Sequence, residues 1–402
     1  MKALMLICDG MADRPVPELG NLTPLEAAQK PNMNGIARRG ICGLMDTIAP
    51  GVPPGSDTAH LALLGYDPFE VYTGRGPFEA AGAGIDLRAG DIAFRVNYAT
   101  IDEKLIVKDR RAGRIQDTKQ LEVSIQRIKL SGTQILFKST VAHRATLVIR
   151  GKGLSHEVSD SDPHKTDTKV LRVKALSSKA AKTAKLLNEF SRKAYKVLKN
   201  HPLNQKRSKQ GLPQANYLLL RGAGVAPHLE PLQQKYGFKS ACVAAAALVK
   251  GVCRMAGMEI IEVPGATGGV NTDLNAKAKA ALRALENHEL VLLHVKGFDE
   301  ASHDGNHNAK VKLIERTDAM LGQLIDKTDY IMLTIDHTTP VSVHDHTGDP
   351  VPIVISGPAV RADDVRNYDE RSTAKGGLGR IRGKYLLPIL ADLMGKSKKF
   401  GA

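Results

Sequence analysis

Seven short apolar runs, each about one strand long, punctuate this chain: Leu4–Cys8, Tyr217–Leu220, Ala241–Ala246, Glu259–Val263, Leu290–Val295, Tyr330–Ile335 and Val351–Ile355. Most are continuous rather than alternating, the pattern of strands buried on both faces of a parallel sheet. Helical stretches such as Asn275–Glu286 and Ala309–Asp326 lie between them. Strand and helix in alternation build βαβ units. The expected fold is therefore α/β, with a doubly wound, mostly parallel sheet.

Residues 90–212 follow other rules. Ile92-Ala-Phe-Arg-Val-Asn-Tyr98 alternates with period two, which predicts a strand with one wet face, and Ala142–Ile149 is a second β-rich stretch. Leu176, Ala180, Thr183, Leu187, Phe190, Ala194 and Leu198 fall at helical spacing, and Asn200-His201-Pro202 ends the pattern. A polar linker, Asn204–Gly211, comes next. The expected organisation is an α/β domain of residues 1–89 and 213–402, interrupted by a smaller α+β domain at 90–212. With a linker at each end the insert would be a hinged lid.

The formal charge of +15 raises the question of a nucleic-acid partner. Residues 165–210 carry 14 Lys/Arg and 2 Asp/Glu, so twelve of the fifteen net charges sit there. They occupy the outer faces of one amphipathic helix. Aromatic residues are 4% of the chain and Trp is absent, which leaves few stacking platforms for bases. No nucleic-acid partner is expected, and anionic-substrate attraction explains the charge as well. No apolar run approaches the ~18 residues of a membrane span. Asp9 cuts the first apolar run short, so it reads as a buried strand rather than a leader. Cys8, Cys42, Cys242 and Cys253 have no paired spacing, as expected of reduced thiols in a cytoplasmic protein.

Chemistry concentrates where strands end. Asp9, Asp299 and Asp336 each follow an apolar run, and His303, His337 and His346 lie close behind. A lone Asp after a strand is usually a turn former or a helix cap. Three together with three histidines suit a divalent ion such as Mn²⁺ or Zn²⁺, at the sheet edge where open α/β folds bind ligands. Two such ions a few ångströms apart serve phosphoryl chemistry. Pro53-Pro-Gly-Ser-Asp-Thr-Ala-His60 precedes a helical pattern. Taken alone, its Ser56 or Asp57 reads as an N-cap. The same position could also hold an attached phosphate or, bound to metal, a nucleophile. His60, His228, His288 and His294 read as packing or exposed residues.

Asp-Gly-Met-Ala-Asp-Arg at 9–14, Pro-Gly-Ser-Asp-Thr-Ala-His at 54–60, Gly74-Arg-Gly-Pro-Phe-Glu-Ala-Ala-Gly82, Asp109-Arg-Arg-Ala-Gly-Arg114, Asp299-Glu-Ala-Ser-His303, Asp336-His-Thr-Thr-Pro340 and His346-Thr-Gly-Asp-Pro-Val-Pro occur in this order along nearly the whole chain. Together they resemble the archaeal-type cofactor-independent phosphoglycerate mutases of the alkaline phosphatase superfamily. The resemblance implies an alkaline-phosphatase-like sheet and two divalent metal ions, Mn²⁺ first, with Zn²⁺, Co²⁺ or Mg²⁺ as alternatives. One ion would take Asp299, His303 and His346, with His344 a rival for the last. The other would take Asp9, Ser56, Asp336 and His337. It also implies that Ser56 accepts the phosphate of 3-phosphoglycerate and returns it to the other hydroxyl, giving 2-phosphoglycerate.

Such a substrate carries carboxylate and phosphate, so cations must hold it. Candidates in the insert are Arg110, Arg111, Arg114, His143, Arg144 and His164, with Arg221 a further one. The bacterial type's arginine motifs are not recognisable here. An alternative is another phosphotransferase or phosphatase of the superfamily, for example a homoserine-kinase-like relative. The metal set and Ser56 would be common to both.

Overall fold

A computed structural model describes residues 1–401. The chain divides into two compact units, Met1–Tyr72 with Leu229–Ala402, and Thr73–His228.

The first unit is built on an eight-stranded sheet, in the order Gly379–Arg382, Gly40–Asp46, Val351–Ser356, Tyr330–Thr334, Ala3–Cys8, Leu290–Val295, Ser240–Val243, Glu259–Ile260. Its middle is parallel, and Ala3–Cys8, Leu290–Val295 and Tyr330–Thr334 are buried along their whole lengths. Continuous apolar runs belong there because helices cover both faces. Val351–Ser356 runs antiparallel to both its neighbours. It returns directly from Tyr330–Thr334 without a crossover helix, and the Thr338–Thr347 bridge closes that return. The helices Leu274–Asn287 and His307–Gly322 lie close to where the spacing put them.

Register is what matters for chemistry. Ala3 pairs with Leu290 and with Tyr330, so Cys8 stands beside Val295 and Ile7 beside Thr334. One step further, Asp9, Lys296 and Asp336 come out in a single row at the carboxyl edge. The Asp9 N–H still donates to the Val295 carbonyl at 2.9 Å.

The second unit holds an antiparallel sheet. Ile92–Ile101 pairs with Arg144–Arg150 and with Tyr217–Gly224, Gln134–Ser139 extends one side, and Val107–Asp109 pairs at the end. Phe94, Val96 and Tyr98 pack under Leu187, Phe190 and Ala194 of the helix Ala181–Lys199. Ala93 and Val148 face Ala80 of the short helix Gly76–Gly82. That helix lies so close that a Cβ on Gly76 would collide with the Ala93 carbonyl.

Five expectations are corrected by the structure. Tyr217–Leu220 belongs to this second sheet, not to the α/β sheet. Ile92–Tyr98 has no wet face, because Asn97 is 4% exposed and Arg95 lies under the helix Gly76–Gly82. Leu176 is not on the basic helix: a Val158–Ala175 bridge holds its segment extended and leaves it 68% exposed. The linker at 204–211 is largely the helix Pro202–Lys209, capped by His201 Nδ1, with buried Asn204 bonded to Leu198 and Ala215. The compact unit, at 73–228, is also wider than the 90–212 insert, because the helix Gly76–Gly82 and the strand Tyr217–Gly224 pack on its sheet.

Candidate active site

The carboxyl edge of the first unit gathers residues more than 280 positions apart. Gly10, at φ +73°, turns the chain just after Asp9, and a Cβ there would come within 2.9 Å of the Asp299 backbone. Its N–H donates to Asp336 Oδ1 at 3.0 Å. Asp336 Oδ2 is buried with no hydrogen-bond partner. His337 Nε2 lies 3.2 Å from that oxygen, 3.5 Å from Asp9 Oδ1 and 3.4 Å from Ser56 Oγ. Three oxygens thus converge on one ring nitrogen.

Asp299 forms the neighbouring group. His303 Nε2 and His346 Nε2 both approach its Oδ1 at 3.2 Å. In each ring the other nitrogen is engaged by a backbone carbonyl: His303 Nδ1 to His344 at 2.6 Å, His346 Nδ1 to Pro54 at 2.7 Å. In His337 it is engaged by Thr339 Oγ1 at 2.9 Å. Fixing Nδ1 this way orients Nε2 as a ligand atom. His337 and His346 stack with ring centres 3.6 Å apart, which joins the two groups. Asp9, Asp336 and His337 form one set able to hold a cation, and Asp299, His337 and His346 another. His303 touches Asp299 but stands outside both sets, and its side chain is 39% exposed. His344 is exposed, and it meets this centre through its carbonyl.

Ser56 is not the N-cap. Gly55 holds that position, Ser56 is the first residue of the helix Ser56–Leu63, and no side chain caps the helix. The hydroxyl is left to face His337.

Two histidines read as packing do more. His294 Nε2 donates to Asp9 Oδ2 at 3.0 Å, and His60 Nδ1 donates to the Ser56 carbonyl at 2.7 Å. Lys296 was also missed: its Nζ lies 2.6 Å from Asp299 Oδ2 and 3.4 Å from Asp9 Oδ2. The one signal available was its place directly after an apolar run. Behind the centre, fully buried Lys310 ties the two loops together. It donates to Asp13 Oδ2 at 2.7 Å and to the Ala12 and Thr339 carbonyls.

Charge is unevenly balanced. Burial, then the nearby Asp9, pushes the Asp336 carboxyl well above the usual range. Burial also opposes charge on Asp9 and Asp299. Lys296 and His294 outweigh it at Asp9, and His303, His346 and Lys296 outweigh it at Asp299, so both stay ionised. Burial, with His346 alongside, pushes His337 down to about 3, and burial with His294 does the same to His60. Both rings are neutral and keep a lone pair.

The second unit carries the expected basic residues. Arg110 makes a bidentate pair with buried Asp162 at 3.0 and 2.7 Å. Arg111 and Arg114 are exposed on a loop in which Ala112, Gly113 and Arg114 all have positive φ. His143 is buried beside Arg144 and Arg111, and burial first, then those cations, pushes it down to about 4. His164 lies on the loop after Asp160, 3.2 Å from that carboxylate. Arg75 and Arg95 were missed. Arg95 stands directly opposite Arg221 across the strand pair, an arrangement that costs energy. Glu79 pairs with Arg75 and lies 3.7 Å from Arg95, and Asp162 lies 3.8 Å from Arg221. Burial, then Arg75, pushes the Arg95 guanidinium down to about 8.

Fold and site together define an α/β protein with candidate metal-holding groups on the carboxyl edge of its sheet. Residues 37–204 match the family model described as 2,3-bisphosphoglycerate-independent phosphoglycerate mutase. A protein of that name from Methanothermobacter thermautotrophicus is 51% identical over 409 residues, covering 100% of both chains. Among solved structures, a Pyrococcus horikoshii protein superimposes with TM-score 0.87 at 43% identity, covering 100% of this chain and 99% of that one. The cofactor-independent phosphoglycerate mutase of Thermoplasma acidophilum gives 0.72 at 36%, covering 98% and 100%. The chain belongs to the 2,3-bisphosphoglycerate-independent phosphoglycerate mutase family.

Proposed function

We propose that this chain interconverts 3-phosphoglycerate and 2-phosphoglycerate, with no need for 2,3-bisphosphoglycerate, through a phosphoryl group carried on Ser56. Family membership supports the reaction. The observation that carries the mechanism is Ser56 Oγ at 3.4 Å from His337 Nε2, beside the unpartnered Asp336 Oδ2.

A buried carboxylate oxygen without a donor fits a cation. So do imidazoles whose other nitrogens are already engaged. In this reading Asp299, His303 and His346 hold one divalent ion, and Asp9, Ser56, Asp336 and His337 a second. Carboxylate and imidazole donors favour Mn²⁺, with Zn²⁺, Co²⁺ and Mg²⁺ as alternatives. Such ions, when bound, neutralise charge on the phosphoryl oxygens and ease loss of the serine proton.

The protein's own groups do the rest. Ser56 Oγ attacks phosphorus, the bond to the 3-oxygen of glycerate breaks, and that oxygen takes up a proton. The 2-hydroxyl then gives up a proton and attacks the phosphoserine, which frees Ser56. His60 fixes the backbone of the nucleophile, and His294 fixes Asp9. Glycerate must stay bound and water must stay out between the two steps. Arg110, Arg111, Arg114, His143, Arg144 and His164 supply the cations for its carboxylate, with Arg221, Arg75 and Arg95 beside them. No helix among the described residues is long and apolar enough to cross a membrane, and a cytoplasmic place of work fits the four free cysteines.

An assay coupling 2-phosphoglycerate to enolase tests the reading. Activity should appear without 2,3-bisphosphoglycerate, vanish with chelator and return with Mn²⁺. Full activity in metal-free protein, or an absolute need for the bisphosphate, would refute it.

A further inference from the structure

Lys296 is, among the described residues, the one lysine or arginine paired with the carboxylates of this centre. Register puts it in the same row as Asp9 and Asp336. Its ammonium touches one carboxylate of each donor group: Asp299 at 2.6 Å, and Asp9 at 3.4 and 3.5 Å.

One role for such a residue is to neutralise carboxylates. The charge count argues for more. Asp9, Asp299 and Asp336 carry at most three negative charges, and two divalent ions would already exceed them. The lysine then leaves an excess of two positive charges, which a phosphate ester dianion cancels. Exposure points the same way: the side chains of Asp9 and Asp336 are fully buried and that of Asp299 is 8% exposed, whereas that of Lys296 is 24% exposed. Of the residues in that row, Lys296 is the one whose side chain reaches toward the open side. Asp9 Oδ1 lies 3.5 Å from Lys296 Nζ and 3.5 Å from His337 Nε2, which is 3.4 Å from Ser56 Oγ.

We propose that Lys296 is a catalytic residue that grips the transferring phosphoryl group while it moves to and from Ser56. This rests on the phosphoryl-transfer reading above. The test compares Lys296→Met and Lys296→Arg with the wild type, all as full chains. Mn²⁺ binding is followed by electron paramagnetic resonance, and inorganic phosphate binding to the Mn²⁺-loaded protein by calorimetry. Losing one charge-assisted contact should weaken phosphate binding about 10- to 100-fold in Lys296→Met, with Mn²⁺ affinity within about threefold and with partial recovery in Lys296→Arg. Unchanged phosphate affinity in the loaded Met variant would overturn the proposal and leave Lys296 as a neutralising strut. Phosphate is the probe, so the result stands apart from the choice of phosphoglycerate as substrate. Failure of the wild type to convert 3-phosphoglycerate would instead refute the mutase reading alone.

Discussion

The two units hold their charged residues in opposite ways. In the first, Asp9, Asp336 and His337 are fully buried, and backbone groups or neighbouring side chains fix nearly every atom not pointed into the centre. In the second, Arg111 and Arg114 stand exposed on a loop of three positive-φ residues, while Arg75 and Arg95 share Glu79 and Arg110 and Arg221 share Asp162. The contrast fits what each set is proposed to bind. Metal ligands must be placed to a fraction of an ångström and pay for misplacement. Cations that hold an organic anion need reach and uncancelled charge.

If the first centre is rigid and chemical, its nucleophile is indispensable. Ser56→Ala should lower turnover by about 10⁴-fold or more. Its melting temperature should stay near that of the wild type, because Gly55 and not Ser56 occupies the cap position. Substantial residual activity would break the comparison at its strongest point.

That rigidity should also be visible without substrate. Lys310→Met strips a fully buried partner from Asp13 and from two loop carbonyls. Breaking a buried pair costs about 3–5 kcal/mol, readable in urea titrations. A loss below about 1 kcal/mol would mean the loops are held by something else.

Glu370 braces the same loop by accepting from the Asp13 N–H and the Thr23 hydroxyl. Burial raises its carboxyl to about 7. The protonated form is favoured in the folded state, so this contribution is complete below about pH 4.5 and is lost as pH rises through 7. Wild type should lose on the order of 2 kcal/mol between pH 5 and 8 relative to Glu370→Gln. Equal pH slopes for the two proteins would show that Glu370 does not titrate there.

The smallest effect belongs to the second unit. Neutralising Arg110, Arg111 and Arg114 together should raise KM about tenfold, because two of the three stand exposed, where a charge contact is worth less. It should also raise the ratio of inorganic phosphate to 2-phosphoglycerate, as water competes for the phosphoserine. Arg110→Ala alone should in addition cost about 1.5–3 kcal/mol of stability, because buried Asp162 loses its bidentate partner and keeps the His164 N–H and Arg221 at 3.8 Å. Unchanged kinetics in the triple variant would make Asp109–Arg114 a solvated loop.

The same contrast explains what could be read from the sequence. Asp9, Asp299 and Asp336 were legible because each breaks an apolar run at the edge where α/β sheets bind ligands. The sheet class was legible for the same reason. The row through Lys296 was not, since register appears only once strands pair. His60 and His294 looked like packing because their partners, a backbone carbonyl and Asp9, leave no mark in the surrounding pattern. In the second unit Arg95 alternated like a residue on a wet face, and Tyr217–Leu220 looked like one more parallel strand. Only their pairing with each other's strand showed otherwise. Leu176 kept the helical spacing by chance, and a bridge to Val158 decided its conformation.

The proposed mechanism turns on one covalent bond. Mn²⁺-loaded protein turning over 3-phosphoglycerate, quenched in acid, digested and mapped by mass spectrometry, should carry phosphate on Ser56 in the peptide that contains Pro54-Gly-Ser-Asp. Turnover with no phosphate on Ser56, or with phosphate on another residue, would contradict it.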